Sequence, residues 1–284
     1  MDKRKVVLPD NTALPAIGQG TWYMGERSSD ITQEVRALQA GIDAGLTLID
    51  TAEMYADGGA ERVVGKAISG CRDQVFLVSK VYPWNAGGQK AIEACEGSLK
   101  RLGTDYLDLW LLHWRGNIPL EETVRVMESL VKQGKIRRWG VSNLDASDMQ
   151  ELWDIQGGQA CMVNQVLYHL ASRGIEYDLL PWCSTHHIPV MAYSPLAQAG
   201  RLRRGLMQHS GILSMAAELG VTVAQLLLAW VIRHPGVMAI PKASSVEHVQ
   251  QNAQAANIVL TQAHCELLDS FFVPPVHKMP LDMV

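Results

Sequence analysis

The sequence predicts an α/β protein, a (β/α)8 TIM barrel entered through a short N-terminal β-hairpin. Three observations predict it. Short β-rich runs alternate with amphipathic helical stretches. The ends of the runs recur at intervals of roughly 30 residues, the size of a strand–helix unit. Several of the runs end on polar residues, as barrel strands do where they open onto a mouth. Alternation implies a parallel sheet with right-handed crossovers, and eight units favour a closed barrel over an open doubly wound sheet. The 284 residues suit one such barrel. No linker or low-complexity stretch divides them, so residues 1–284 read as a single domain.

The segment from Lys5 to Pro15 reads as a hairpin turning near Asp10-Asn11. A first short strand follows near Ala16 to Gly20. Ile31, Val35, Leu38 and Ile42 then mark one face of a helix, with Asp30 to cap its start and Gly45 to end it in a left-handed conformation. The remaining strands are read at 46–49, 75–79, 107–112, 136–141, 161–165, 189–193 and 237–240. Leu120, Val124, Met127 and Val131 repeat the helical spacing, with Gly134 as the stop. After the last strand, Ser244-Ser245-Val246-Glu247 fits a capping box, and Val246, Val249, Ala253 and Ala256 mark the inward face of its helix. The longest irregular pieces are 194–211 and the Pro-rich tail 273–284.

Composition narrows the class. Lys and Arg total 25 against 29 Asp and Glu, a formal charge of −4. Without a basic block, that balance argues against nucleic acid or an anionic membrane as partner. The most hydrophobic stretch, Leu226 to Ile232, is too short to span a bilayer. The five cysteines are odd in number and widely spaced, which favours a reducing compartment and gives no zinc pattern. The charged start, Met1 to Asn11, lacks an apolar leader core. A cytoplasmic enzyme with a small-molecule substrate, monomeric or weakly homo-oligomeric, is the expectation.

Four polar residues carry the chemistry. Asp50, Lys80 and His113 each close an apolar run, and Tyr55 lies one short turn after Asp50. At a common barrel mouth they form a proton-transfer site. Lys80 has two readings: a Schiff-base nucleophile, or a charge that tunes its neighbours. Pairing with Asp50 keeps it protonated and favours the second. A protonated lysine beside Tyr55 lowers the phenol pKa towards neutrality, making Tyr55 a general acid for a developing alkoxide. His113 can orient the carbonyl oxygen. The bland alternative is a structural ion pair with a packing tyrosine and a core histidine.

Carbonyl reduction needs a hydride source, and no Rossmann fingerprint is present: Gly18-Gln19-Gly20-Thr21-Trp22 lacks the third glycine and its context. Lys242-Ala243-Ser244-Ser245 after the eighth strand reads as either a phosphate seat at a helix N-terminus or a simply capped helix with a surface lysine. Tyr193 ends the seventh strand and can stack on a flat ring. Ser142, Asn143 and Gln165 end the fifth and sixth with donors suited to a carboxamide. Trp22, Tyr82, Trp84 and Trp114 would crowd the mouth as an apolar wall for substrate.

These residues resemble the aldo-keto reductase family along almost the whole chain. The carriers are Gly18-Gln19-Gly20-Thr21-Trp22, Asp50-Thr51-Ala52-Glu53-Met54-Tyr55, Val78-Ser79-Lys80, Leu111-Leu112-His113-Trp114, Gly140-Val141-Ser142-Asn143 and Ile240-Pro241-Lys242. The resemblance implies a barrel that binds extended NADPH and reduces aldehydes or ketones, with Tyr55 as acid, Lys80 and Asp50 tuning it, and His113 orienting the carbonyl. It implies contacts to the cofactor from Gly20, Thr21 and Trp22, from Ser142, Asn143 and Gln165 to the carboxamide, and from Tyr193 to the nicotinamide. Ser194 and Leu196 would touch the pyrophosphate; Lys242, Ala243, Ser244, His248, Gln251 and Asn252 would meet the adenosine end. Many members carry Ser and Arg where this chain has Ala243 and His248. NADPH preference would then rest mainly on Lys242 with help from His248, NADH binding more weakly. Within the family the sequence is similar to small bacterial reductases of methylglyoxal and other 2-oxoaldehydes. Two other classes stay open: a cofactor-binding, redox-sensing regulatory subunit, and a Schiff-base aldolase using Lys80.

Overall fold

In the computed structural model, which describes residues 4–198 and 200–284, eight parallel strands follow one another around a closed barrel. An antiparallel hairpin, β1 (Lys5–Val7) and β2 (Ala13–Pro15), precedes them. The barrel strands are β3 (Gln19–Gly20), β4 (Leu48–Asp50), β5 (Phe76–Val81), β6 (Leu109–Leu112), β7 (Trp139–Ser142), β8 (Asn164–Leu167), β9 (Val190–Tyr193) and β10 (Val237–Ala239). Each pairs in parallel with its sequence neighbour. Parallel bridges Ile17–Ala239 and Gly20–Lys242 join the first strand region to the last and close the ring. Only glycine fits at 20 on this seam, because a Cβ there would lie 2.5 Å from the Ile240 carbonyl oxygen.

Helices cover the outside. They are α1 (Ile31–Asp43), α2 (Gly59–Ala67), α3 (Gly88–Leu102), α4 (Leu120–Lys132), α5 (Ala146–Asp154), α6 (Leu179–Thr185), α7 (Arg201–Met207), α8 (Ser210–Glu218), α9 (Val223–Val231), α10 (Val246–Ala255) and α11 (Gln262–Phe271). The strands are therefore buried on both faces, as parallel sheets require. In β5 the period of two separates two jobs: Ser79 turns outward and donates to Glu61 of α2 (2.6 Å), while Lys80 turns into the barrel. α9 is buried along most of its length, and no single helix among the described residues is long and apolar enough to cross a membrane.

The hairpin plugs the barrel floor. Val6, Leu8 and Leu14 are buried, and Arg138, just before β7, donates to Asp10 (2.5 Å) and Thr12 (2.7 Å) while lying over the Phe76 ring. The functional end is thus the opposite one, where the strands finish.

The strands begin up to three residues later than their apolar runs predict, and their ends fall between one residue earlier and two residues later. Predicted 46–49 becomes 48–50, and predicted 136–141 becomes 139–142. The reason is physical: a strand buried on both faces has no polar alternation to mark its start. The shift places Asp50 and Ser142 within their strands and Lys80 one residue before the end of its own.

Two capping expectations are corrected. Asp30 has a helical backbone and makes no side-chain cap; its Oδ1 accepts from Ser29 instead (2.8 Å). At α10, Ser245 rather than Ser244 caps the helix, accepting from the His248 amide at 3.3 Å from an extended backbone. That moves the inward stripe: Val249, Ala253 and Ala256 are buried, but Val246 is exposed. The predicted helix stops hold, with Gly45 at φ 84° and Gly134 at φ 72°.

Candidate active site

Asp50, Lys80 and His113 arrive on three successive strands, and the loop after β4 folds Tyr55 over them. The Lys80 ammonium is fully buried and has three partners: Asp50 Oδ2 at 2.7 Å, the Thr51 carbonyl at 2.9 Å and Tyr55 Oη at 3.0 Å. Those use all three of its protons. Asp50 Oδ1 accepts from Gln165 Nε2 at 2.8 Å, so the carboxylate is bonded from opposite sides of the barrel. Tyr55 meets the edge of His113, their ring centres 5.9 Å apart, and is flanked by Trp22 at 6.2 Å.

Burial dominates the electrostatics. It raises the Asp50 pKa and lowers that of Lys80, each opposed by their mutual attraction and hydrogen bond. Tyr55 is raised well above the ordinary phenol value, first by burial and then by the Asp50 charge. This reverses the expectation that Lys80 would pull it towards neutrality, because desolvation outweighs the lysine. The phenol accordingly keeps its proton at neutral pH. Since Oη accepts from Lys80, the O–H is left to donate into the pocket. Burial, aided by the Lys80 charge, pushes His113 down to about 2. It is therefore a neutral imidazole, and its Nδ1 is buried without a partner, so Nε2 is the nitrogen that faces the pocket.

Two connected spaces open above these residues, sharing Trp22, Tyr55 and Tyr193. The inner one, about 230 Å³, adds His113, Trp114, Ser142, Asn143 and Gln165. The other is a groove of about 280 Å³. It runs past Gly20, Thr21 and Tyr193 to Ser194 and Leu196, and reaches Lys242. A third space continues beyond Lys242 to Ser244. Continuous spaces with an aromatic face and amide donors at one end and, at the other, a lysine without an ion-pair partner among the described residues fit an extended dinucleotide. Asn143 and Ser194 hold positive φ values of 58° and 47° at its walls, backbone strain of the kind that collects at binding sites. Asn143 is pinned by Tyr193 Oη at 2.9 Å and itself donates to the His113 carbonyl at 3.1 Å. Ser142 donates to the Gln165 carbonyl at 2.8 Å.

The structure brings most of the sequence-predicted residues together. Ala243, His248, Gln251 and Asn252 stand apart from these spaces: Ala243 packs on the core, His248 is exposed on α10, the Gln251 carbonyl accepts from Gln225, and Asn252 is buried. Tyr82 and Trp84 form a stacked pair (4.4 Å) on the rim, with Trp84 57% exposed and edge-on to Trp114. Of the predicted aromatic wall, Trp22 and Trp114 line the inner pocket.

Other lining residues escaped the sequence reading. Met54 closes the inner pocket from the Tyr55 loop, and Met283 and Val284 of the tail close it from the far side. The tail is held there by Ser172 donating to Asp282 (2.5 Å) and by Lys278 near Asp178 (3.3 Å). Tyr23, Gln198 and Arg203 line the outer groove, Gln198 donating across it to Tyr23 Oη at 2.9 Å. Met54 lay within a quoted motif. The tail and groove contacts had no local signal, being set by long-range returns of the chain.

Comparison with known proteins agrees with this geometry. Residues 16–272 match the model of the aldo/keto reductase family. The chain is 63% identical to the methylglyoxal reductase YeaE of Escherichia coli (strain K12) over 284 residues, covering 100% of both chains. It is 32% identical to a glyoxal reductase of Bacillus subtilis (strain 168), covering 94% of this chain and 92% of that one. A crystal structure of an aldo/keto reductase from Klebsiella pneumoniae in complex with NADP and acetate superposes with a TM-score of 0.98 at 67% identity, covering 100% of both chains. A barrel whose buried lysine, acid and phenol meet beside a dinucleotide-shaped groove, with matches of this extent, leaves one assignment: the chain belongs to the aldo/keto reductase family.

Proposed function

We propose that the protein reduces small aldehydes and ketones to alcohols with NADPH, methylglyoxal and other 2-oxoaldehydes among them. The dinucleotide, when bound, supplies hydride. Tyr193 offers its ring to the nicotinamide, with Ser142, Asn143 and Gln165 around the carboxamide. Ser194 and Leu196 flank the middle of the groove, and Lys242 with Ser244 takes the adenosine end.

The substrate carbonyl enters the inner pocket between Trp22 and Trp114, its oxygen within reach of Tyr55 Oη and His113 Nε2. Tyr55 donates its proton to the developing alkoxide. Lys80, donating to the same Oη, stabilises the phenolate that forms, and Asp50 holds the lysine in place. Neutral His113 orients the carbonyl without competing as an acid. The small inner space, closed by Met54 and the tail, favours short substrates. Lys80 is a poor Schiff-base nucleophile here, since all three of its protons are engaged and it is fully buried.

The observation that carries this reading is the protonated, buried Tyr55 whose oxygen accepts from Lys80 at 3.0 Å beside the groove. Tyr55→Phe should lower kcat for methylglyoxal with NADPH by roughly 10²–10⁴-fold, while NADP+ affinity changes by no more than a few-fold. Unimpaired turnover in that variant would sink the mechanism.

A further inference from the structure

Behind β5, on the side away from the pocket, a buried cluster ties together the two segments that carry Lys80 and Tyr55. Tyr55 is followed by three left-handed residues in a row, Ala56 (φ 50°), Asp57 (φ 50°) and Gly58 (φ 74°). Two of them are not glycine, so the turn is strained and persists only where its surroundings hold it. It leads directly into α2: Gly59 donates to the Ala56 carbonyl (2.8 Å) and Ala60 to the Tyr55 carbonyl (3.2 Å). On one side the Arg101 side chain, from α3, occupies the place a Cβ would take at Gly58. On the other, Gly59 lies against the Gly25 backbone so closely that a Cβ on either residue would collide.

Glu61 fastens this turn to β5. It sits in the first turn of α2 and is fully buried, its Oε2 accepting from Arg101 Nε (2.5 Å) and its Oε1 from Ser79 Oγ (2.6 Å). Ser79 adjoins Lys80 in β5. One carboxylate therefore joins the helix that begins at the Tyr55 turn to the strand that delivers the ammonium. Arg101 braces both, touching Gly58 and Glu61 while its Nη2 donates to Ser98 (3.1 Å). None of Glu61, Ser79 and Arg101 lines the inner pocket or the outer groove. A buried ion pair is a poor source of stability compared with apolar packing; what this one supplies is direction, since both carboxylate oxygens are engaged by fixed donors. We propose that Glu61 is a positioning residue for proton transfer: with Arg101 and Ser79 it holds the Tyr55 turn against β5 and so keeps the phenol on Lys80. Its charge, lying behind the strand, also favours the protonated form of Lys80. The role rests on the reductase reading above, with Tyr55 as the acid.

A residue that acts through Tyr55 loses its effect once the phenol is no longer there to aim. The test is turnover of methylglyoxal with NADPH for Ser79→Ala and Glu61→Gln, each made in the unaltered protein and in Tyr55→Phe. Melting temperatures and NADP+ affinities are measured alongside. In the unaltered background each substitution should lower kcat by roughly tenfold, with KM and NADP+ affinity unchanged. In Tyr55→Phe the same substitution should lower the residual kcat little or not at all. Equal losses in both backgrounds would mean a general loosening of the barrel and would overturn the proposal. So would an unchanged kcat in the unaltered background, or a loss confined to KM. Ser79→Ala leaves the Glu61–Arg101 pair in place, so it carries the test should Glu61→Gln not fold. Failure of the reductase reading itself shows earlier and separately, as absent turnover in the unaltered protein or full turnover by Tyr55→Phe alone.

Discussion

The inner pocket and the outer groove are built by different means. The pocket's working groups stand on strand ends and on the loop after β4, are nearly inaccessible to water, and use their hydrogen bonds on one another: Lys80, Asp50, Tyr55 and Gln165 form one continuous set. The groove's groups stand on loops and helix starts, are exposed or half-buried, and keep donors free for a ligand. In the pocket, low dielectric sets protonation and makes each deletion costly to the fold. In the groove, water screens the charges, so substitutions there act on binding with little effect on stability. Buried groups bonded to one another and accessible groups with donors to spare thus reside in separate physical environments a few residues apart.

The hardest test of that contrast is Lys80→Met. Leaving Asp50 buried without its partner should lower the unfolding free energy by about 3–5 kcal/mol, read by urea melts, and abolish most turnover. Adding Asp50→Leu should recover much of the stability and none of the activity. If the single variant were as stable as the original, the buried Asp50 charge would not depend on Lys80 for its compensation.

A smaller effect comes from His169, buried behind the tail anchor and pushed down to about 4 by burial against the opposing charge of Asp282. Its folded pKa is below the unfolded value, so the unfolded chain binds the extra proton. Its contribution to stability is complete above about pH 6.5 and is lost as pH falls towards 4, by about 1.4 kcal/mol per pH unit. His169→Gln should remove that slope from melts taken between pH 6 and 4.5. An unchanged slope would show that the ring is not held neutral.

In the groove, Lys242→Met should weaken NADP+ by about tenfold and NAD+ much less, with melting unchanged and the gap narrowing at high salt. Equal losses for both nucleotides would take Lys242 away from the 2′-phosphate. The smallest effect is expected at the rim. Trp84→Ala should shift stability by no more than about 0.5 kcal/mol and lower kcat/KM for a bulky aryl aldehyde a few-fold more than for methylglyoxal. Parallel changes for both substrates would exclude Trp84 from contact with the larger one.

Much of the pocket was legible in the sequence because barrel strands deliver their final residues to one end, so Asp50, Lys80 and His113 could be placed by counting strands. Ser142 and Gln165 followed by the same logic. The Tyr55 protonation state was not legible. Its shift depends on how completely the loop and Trp22 exclude water, which residue spacing does not report. Ser244 was the expected cap because Glu247 three residues on completes a capping box with it, and only the backbone of the folded chain put the cap at Ser245.

By itself, then, the sequence determined the barrel and the residues at its mouth, since periodicity and strand order are local properties summed along the chain. Tertiary structure alone decided the rest. It set which groups are dry enough to change their pKa, which cations are left unpaired, and how the tail returns to wall the pocket with Met283 and Val284. Each of these depends on contacts between segments far apart in sequence, where burial is collective and no single segment carries the signal.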